Sequence, residues 1–406
     1  MTATLPLAGL RVLDYCWIGA GAFVTKMLAD HGALVIKVES RARPDNLRVA
    51  PPFKPNVDPL EASGYFASRN SNKKSFALNM SDPRGRLIAQ RLAAQCSVIT
   101  SNFRPGIMER WGLSYEDIRR RNPSVIYLTM PMQGLAGPHK DYVGFGSTIA
   151  ALSGLVERSG LPDRAPTGTG THYPDHVPNP GHAVVAVLAA LYERARSGMG
   201  QSIEVAQLES TVNVLGPELI EAAIGASPFV RRGNRVADAA PHGVFPCRGS
   251  DQWCAISVRT DEEWRALVDV LGAPIWAADP VFVTFAGRKA HEDRLEALIA
   301  DGTRLRDGME LVGELQKRRV PAATVSTTDD LVNDPHLAAR GYWQRSEHAA
   351  MGPILMNGLP FRVVGRPQLQ LRAAPLLGEH TWEIAAELLG MQRPEYDSLV
   401  TEQVFY

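Results

Sequence analysis

The sequence predicts an α/β protein, a mostly parallel sheet layered with helices and followed by a smaller α+β unit. Three observations lead there. The first 40 residues read as strand, turn, helix and strand; residues 84–130 repeat the helix–strand alternation twice; and the texture shifts to turn formers near Gly225. With 406 residues and 45% hydrophobic side chains the chain has apolar mass for two cores, which excludes disorder, collagen and a coiled coil.

Taken in order, residues 10–14 form a buried apolar run that reads as a strand, Gly19, Ala20 and Gly21 as a turn, residues 23–31 as a helix and 34–39 as a second strand. This βαβ unit opens a helix amino terminus toward any anion, and Glu39 lies where a dinucleotide fold keeps its ribose acid. The dinucleotide fingerprint still fails, because Val24 stands at its third glycine. Helices are expected at 84–95 and 115–121 and strands at 97–101 and 125–130. A core helix follows over 181–196, with Val184, Val187, Leu188 and Leu191 on a wide apolar face and Pro180 at its mouth. Residues 201–205 read as a strand and 208–224 as a helix. Beyond Gly225, a strand at 253–258 and a helix at 261–271 begin the smaller unit, which runs to about residue 331. An extended return path to Pro375 and a helix over 380–389 close the chain.

Forty-three Lys and Arg balance forty-three Asp and Glu, so the chain lacks the general phosphate attraction of a nucleic-acid binder and the polybasic signature of a membrane-surface protein. No nucleic acid and no membrane are expected as partners. The longest apolar run, residues 183–192, is half of the roughly 20 residues a membrane span needs. The opening MTATLPLAGL shows neither a basic n-region nor an h-region, so a cytoplasmic location is expected. Cys16, Cys96, Cys247 and Cys254 form no CxxC pair and suit buried reduced thiols. His172, His176 and His182 are the tightest histidine group, but Pro174, Pro178 and Pro180 interrupt any helix that would align them, so no metal is expected.

Two segments could carry chemistry. In THYPDHVPNPGHAVVAVLAAL, Asp175 precedes a helix amino terminus that could hold its carboxylate ionised and nucleophilic; the other reading is a loop cap beside Pro and Asn. NSNKKS and SNFRPGIMERWG put Lys73, Lys74, Arg104 and Arg110 beside strand ends, where they could meet phosphates or form a solvated charged edge. No Walker loop, GxSxG elbow or HExxH is present.

Seven blocks, LAGLRVLDY, GAGAFVTKMLADHGALVIKVES, NSNKKSFALNM, SNFRPGIMERWGL, GPHKDYVGFGSTIAALSGL, LAALYERARSGMGQSIEVAQLE and APLLGEH, resemble in order and spacing the family III CoA-transferases, the CaiB/BaiF group. The resemblance implies a Rossmann-like large domain over 1–224, a small α+β domain over 225–331 and a linker and C-terminal segment over 332–406 returning to the large domain. It further implies ring-shaped subunits that interlock as a dimer, either a homodimer or a heteromer with a related chain. Asp175 occupies the position of the family nucleophile, which implies CoA transfer from an acyl-CoA donor such as succinyl-CoA to a carboxylic acid through an aspartyl-CoA thioester. Coenzyme A enters as the thioester substrate, and no tightly bound cofactor is implied. Ala20, Leu78, Asn102, Phe103 and Arg110 match the CoA-contacting positions, and Arg104 belongs to the same motif. Ser40 and Ser81 stand where some members carry basic CoA contacts, so Arg41, Arg43 or Lys73 are expected to hold phosphate instead. Family racemases carry a His-Asp pair where this chain has Phe145 and Gly146, which disfavours α-proton exchange. Formyl-CoA transferase has an acidic residue at the Gly146 position, so small acids such as oxalate are not expected. With Gly146 and the DQWCAISV and TDEEW segments the chain resembles the branch that handles dicarboxylic acids and larger, often aromatic acids, a branch that includes two-subunit enzymes whose related subunits can include a catalytically silent one. A non-catalytic partner subunit and a racemase-type isomerase are the alternatives.

Overall fold

The computed structural model describes residues 5–225, 229–365 and 369–406. Its contacts fall into two compact units, one of residues 1–157, 168–228 and 338–406, the other of 158–167 and 229–337. In the first unit, strands β1 (Arg11–Tyr15), β2 (Leu34–Glu39), β3 (Lys74–Ala77), β4 (Val98–Ser101), β5 (Ile126–Thr129) and β6 (Gln201–Glu204) form one sheet in the order β3-β2-β1-β4-β5-β6. Every pairing is parallel. This is the doubly wound order, whose strand direction of addition reverses between β1 and β4.

A parallel sheet is covered on both faces, and the apolar strands supply a core to each. Leu13, Ile36, Phe76, Ile99 and Tyr127 point into one cluster, while Val12, Val35, Val98, Ile126 and Leu128 point into the other. Helix α1 (Gly19–Asp30) follows β1, and α2 (Gly64–Arg69) precedes β3. Next come α3 (Pro83–Ala93), α4 (Ile107–Arg110), α5 (Tyr115–Arg119) and α6 (Gly146–Leu152). The short α7 (Tyr173–His176) leads into the twenty-residue α8 (Pro178–Ser197).

Three elements depart from expectation. The GAG segment is the first turn of α1, not a loop before it. Its glycines serve close packing: a methyl group built on Gly21 would lie 2.7 Å from Cβ and Sγ of Cys16. The helix expected over 208–224 is divided into Gln207–Val212, a 3-10 turn at Asn213–Leu215 and Gly216–Ala223, because Pro217 lacks the N–H that would continue the ladder. The return path contains an antiparallel hairpin, Trp343–His348 with Gly352–Asn357, and a final helix, Arg393–Thr401, follows Thr381–Leu389. Pro178 and Pro180 do not interrupt α8, since both lie in its first turn, where an intrahelical N–H bond is not required.

The second unit is α+β, as expected. Strands His242–Pro246, Trp253–Ser257 and Ala322–Thr324 form an antiparallel sheet. Helices Asp261–Val270, Glu292–Thr303 and Gly308–Lys317 surround a core that includes Phe245, Leu267, Phe282, Leu295 and Leu311. No helix among the described residues is long and apolar enough to cross a membrane.

Candidate active site

The reversal of strand order opens a crevice beyond the carboxyl ends of β1 and β4, the usual ligand position in such sheets. A cavity of about 620 Å³ lies there, walled by Trp17, Ile18, Gly19 and Ala20 after β1, by Asn102, Phe103 and Arg104 after β4, and by Asp175. All its lining residues belong to the first unit. Trp17 and Phe103 meet edge to face at 5.1 Å between centroids, which gives the cavity a rigid aromatic side.

The loop from β1 to α1 is pinned from below. Asp14, fully buried in β1, accepts hydrogen bonds from the Thr25 hydroxyl at 2.7 Å, Thr100 at 3.1 Å and the Cys16 N–H at 2.9 Å, and pairs with Lys73 at 3.0 Å. Asp45, paired with Lys37 at 2.7 Å, accepts the Ile18 N–H at 2.9 Å. Ile18 itself has φ of +59°, a left-handed conformation that a β-branched residue adopts only when its surroundings compel it. That turn delivers Gly19 to the site.

Asp175 sits on α7 with 6% of its surface exposed. Its side chain is seated between the first residues of two helices, Gly19 of α1 and Gly146 of α6. A methyl group built on Gly19 would lie 2.7 Å from Cβ, Cγ and Oδ2 of Asp175, and one on Gly146 would lie 2.7 Å from Cγ and closer still to Oδ2. Neither position admits a side chain while the carboxyl keeps this place. The helix-terminus argument predicted an ionised carboxylate, yet burial pushes the Asp175 carboxyl up from 3.8 to about 6, against the opposing pull of His172 and of the Gly146 backbone N–H. Here removal from water outweighs the helix ends. Near neutral pH the group is still mostly a carboxylate, poorly hydrated and therefore reactive.

Of the predicted site residues, Asp175, Ala20, Asn102, Phe103 and Arg104 come together in the cavity wall, and Leu78 and Arg110 lie outside it. Leu78 is 1% exposed in the core with Phe76 and Ile88. Arg110 is exposed at the end of α4. Asn102 spends its amide on the β1 loop: its oxygen accepts the Trp17 N–H at 2.9 Å and its nitrogen donates to the Trp17 carbonyl at 2.5 Å. Lys73 is not free to hold phosphate. Its ammonium is buried and donates to Asp14, the Ala22 carbonyl, Thr25 and Asn70. Lys74 pairs with Glu383, and Glu39 is held by Arg48 at 2.8 Å rather than left for a ribose. Arg41 and Arg43 are exposed.

Sequence reasoning missed Trp17, Lys140, Tyr142 and Gln207 in the cavity wall, and the seating role of Gly19 and Gly146. An aromatic residue two positions after β1 was the one available signal. All four cysteines are buried, and burial raises the Cys16 and Cys96 thiols, so none is a poised nucleophile. Among the described residues no cluster of three or more His, Cys, Asp or Glu could hold a metal ion.

The structure thus places a buried acid, Asp175, in the wall of a cavity at the switch point of a doubly wound sheet, where such folds bind their ligands. The chain belongs to the CoA-transferase family III, whose model matches residues 7–381. It is 33% identical over 99% of its length to the "Probable CoA-transferase Rv1866" of Mycobacterium tuberculosis, and spans 50% of that longer protein. It is also 31% identical to the succinyl-CoA–D-citramalate CoA-transferase of Chloroflexus aurantiacus, over 98% of both chains. Among solved structures, a CaiB/BaiF family protein from Brucella suis superposes with a TM-score of 0.86 at 32% identity, covering 95% of this chain and 100% of that one.

Proposed function

We propose that this CoA-transferase moves CoA from an acyl-CoA donor, with succinyl-CoA the first to test, to a dicarboxylic or aromatic acid through an aspartyl-CoA thioester on Asp175. The observation that carries the reading is the carboxyl of Asp175, buried in the wall of the switch-point cavity and seated on Gly19 and Gly146.

One Oδ of Asp175 attacks the donor carbonyl carbon and the C–S bond breaks, giving a mixed anhydride and CoA thiolate. The thiolate attacks Cγ of Asp175, the donor acid leaves, and the enzyme carries CoA as a thioester. The acceptor carboxylate attacks Cγ and expels the thiolate, which then attacks the acceptor's acyl carbon and frees Asp175. No water enters the balance, and a nearly enclosed carboxyl suits intermediates that water would destroy. Gly19 and Ala20 of the cavity wall form the first turn of α1, whose N–H groups have no partner within the helix, which suits that turn to the oxyanion formed at each attack. Trp17 and Phe103 offer apolar faces to pantetheine or adenine, and Arg104 offers a cation. Phe145 and Gly146 supply no proton relay, which favours transfer over isomerisation. We take the working assembly to be an interlocked dimer, homomeric or with a related chain.

Incubation with succinyl-CoA followed by hydroxylamine should convert Asp175 to its hydroxamate, read as a mass change on its peptide. A chain that turns over with Asp175 unlabelled rejects the mechanism, and a pure chain without activity that gains it on adding a related subunit favours the heteromer.

A further inference from the structure

Of the described polar side chains in the wall of the switch-point cavity, two are buried: Asp175, 6% exposed, and Gln207, 8% exposed. Gln207 opens the helix Gln207–Val212, which packs on α6 and α8, the helices that begin at Gly146 and just after Asp175. Its amide is fixed by what it meets. Nε2 donates at 2.7 Å to the Met130 carbonyl, which can only accept, so Oε1 is the end that accepts from Nδ2 of Asn179 at 3.3 Å. Asn179 is held in turn by the Ser210 hydroxyl, which donates to its Oδ1. The Gln207 backbone N–H donates to the Pro131 carbonyl at 3.1 Å. An amide nitrogen carries two protons, so one N–H of Nε2 is left over on a buried side chain of the cavity wall.

The other polar side chains of the wall are committed or lie nearer solvent. Asn102 holds the Trp17 backbone, Lys140 pairs with Asp141 at 2.8 Å, half-buried Thr148 accepts the Phe145 N–H at 3.4 Å, and Arg104 and Tyr142 are exposed. The helix starts at Gly19 and Gly146 lie against the carboxyl of Asp175 itself, which suits them to an oxyanion on its Cγ. Transfer has a second electrophilic carbon, that of the substrate acyl group, and its oxygen needs a donor of its own. That oxygen is neutral in the thioester and anionic in the free acid. An amide N–H serves both forms, whereas a cation in its place would lower the basicity of Asp175 and hold back the free acid. We propose that Gln207 is a catalytic residue whose free Nε2–H binds the oxygen of the reacting carboxyl group: the thioester carbonyl of the donor, and the non-attacking oxygen of the acceptor carboxylate. This rests on the reading of Asp175 as the nucleophile and adds the group that presents substrate to it.

The test uses the full chain and succinyl-CoA carrying carbon-13 at the thioester carbonyl. The hydroxamate trap is run first on the wild type, so that a failure of Asp175 as nucleophile is seen separately. In Asp175→Asn, where the thioester persists, the labelled carbonyl stretch of the bound donor should lie at lower wavenumber than that of the free donor. Adding Gln207→Met should return it toward the free value, a change that a merely structural role would not produce. With Asp175 intact, Gln207→Met should lower kcat for loss of donor thioester by about 10²- to 10³-fold, the scale of a lost oxyanion donor, with KM for the donor little changed. Gln207→Asn, which keeps the amide but shortens its reach, should lose kcat in the same direction and carries both measurements if the Met variant does not fold. A bound carbonyl stretch that is the same with and without Gln207, a loss that falls on KM alone, or an Asn variant as active as the wild type would each overturn the assignment.

Discussion

Replacing Asp175 by Asn should abolish transfer and at the same time stabilise the protein. The folded-state carboxyl is pushed from 3.8 to about 6 by burial, so between those values the native state holds more protons than the unfolded chain. Stability is therefore lost as pH rises through that window and is lowest above it. A shift of about two units corresponds to roughly 3 kcal/mol above pH 7, and to about half of that at pH 5. Asn fills the same space between Gly19 and Gly146, can still accept the Gly146 N–H and never ionises, so it escapes this cost. For a unit of this size 1 kcal/mol moves Tm by about 2 °C, which sets an expected gain of about 6 °C at pH 8 and about half of it at pH 5. Thermal melts of both proteins across pH 4–8, with CoA absent, measure the difference. A variant gain that does not grow with pH, or a wild type more stable than the variant at pH 8, would refute the electrostatic account of this carboxyl.

Four other outcomes follow from the same geometry. The rate of the first half-reaction, measured as loss of donor thioester, should rise with pH to a plateau with a midpoint near 6, because the attacking form is the carboxylate. Gly146→Ala should cut kcat by about 100-fold, the cost of misplacing a reacting group by about 1 Å, while Tm changes little, since the atoms a methyl would strike are the movable end of Asp175. Lys73→Met should cost about 3–5 kcal/mol by stranding the buried Asp14 charge, with KM for acyl-CoA unchanged in the protein that remains folded; a raised KM would return Lys73 to phosphate binding. Asp45→Ala should lose stability and kcat together because it frees both Lys37 and the Ile18 N–H, whereas Asp45→Asn, which keeps the acceptor for Ile18, should retain most of kcat while still losing stability.

What the sequence made legible follows the range of each signal. Strand β2 is read at 34–39 and found at Leu34–Glu39 because its run of apolar residues is closed by Gly32 on one side and Ser40 on the other. The expected strand at 253–258 and helix at 261–271 are found at Trp253–Ser257 and Asp261–Val270 for similar local reasons: a Thr260 cap bonded to Glu263 fixes where that helix begins. Lys73 was misread because its meaning lies 59 residues away, at Asp14, and a lysine beside a lysine gives no local sign of which ammonium turns inward. The upward shift of the Asp175 carboxyl was hidden from the sequence for a related reason. The helix end is visible in the chain, but the burial that overrides it comes from Gly19 and Gly146, which lie apart from it in sequence. The hairpin at Trp343–His348 and Gly352–Asn357 was hidden by polar residues on its solvent side and by the prolines that follow it.

The two glycines and the strained Ile18 make one arrangement. A carboxylate that must attack a thioester is most useful where water is scarce, and scarcity of water is what raises its pKa and costs stability. The cost can be confined to a single side chain only if the backbone itself forms the seat, since any Cβ at positions 19 or 146 would meet the carboxyl. Bringing Gly19 that close requires the turn at Ile18, whose positive φ is unfavourable by itself. The turn is held in place by bonds beneath the cavity, Asp45 on the Ile18 N–H and Lys37 on Asp45, and by Asn102, itself in the cavity wall, on both polar atoms of the Trp17 backbone. Strain at Ile18 and burial at Asp175 are thus offset by buried polar pairs such as Lys37 with Asp45, which is why, on the proposed mechanism, substitutions there should affect turnover without touching substrate.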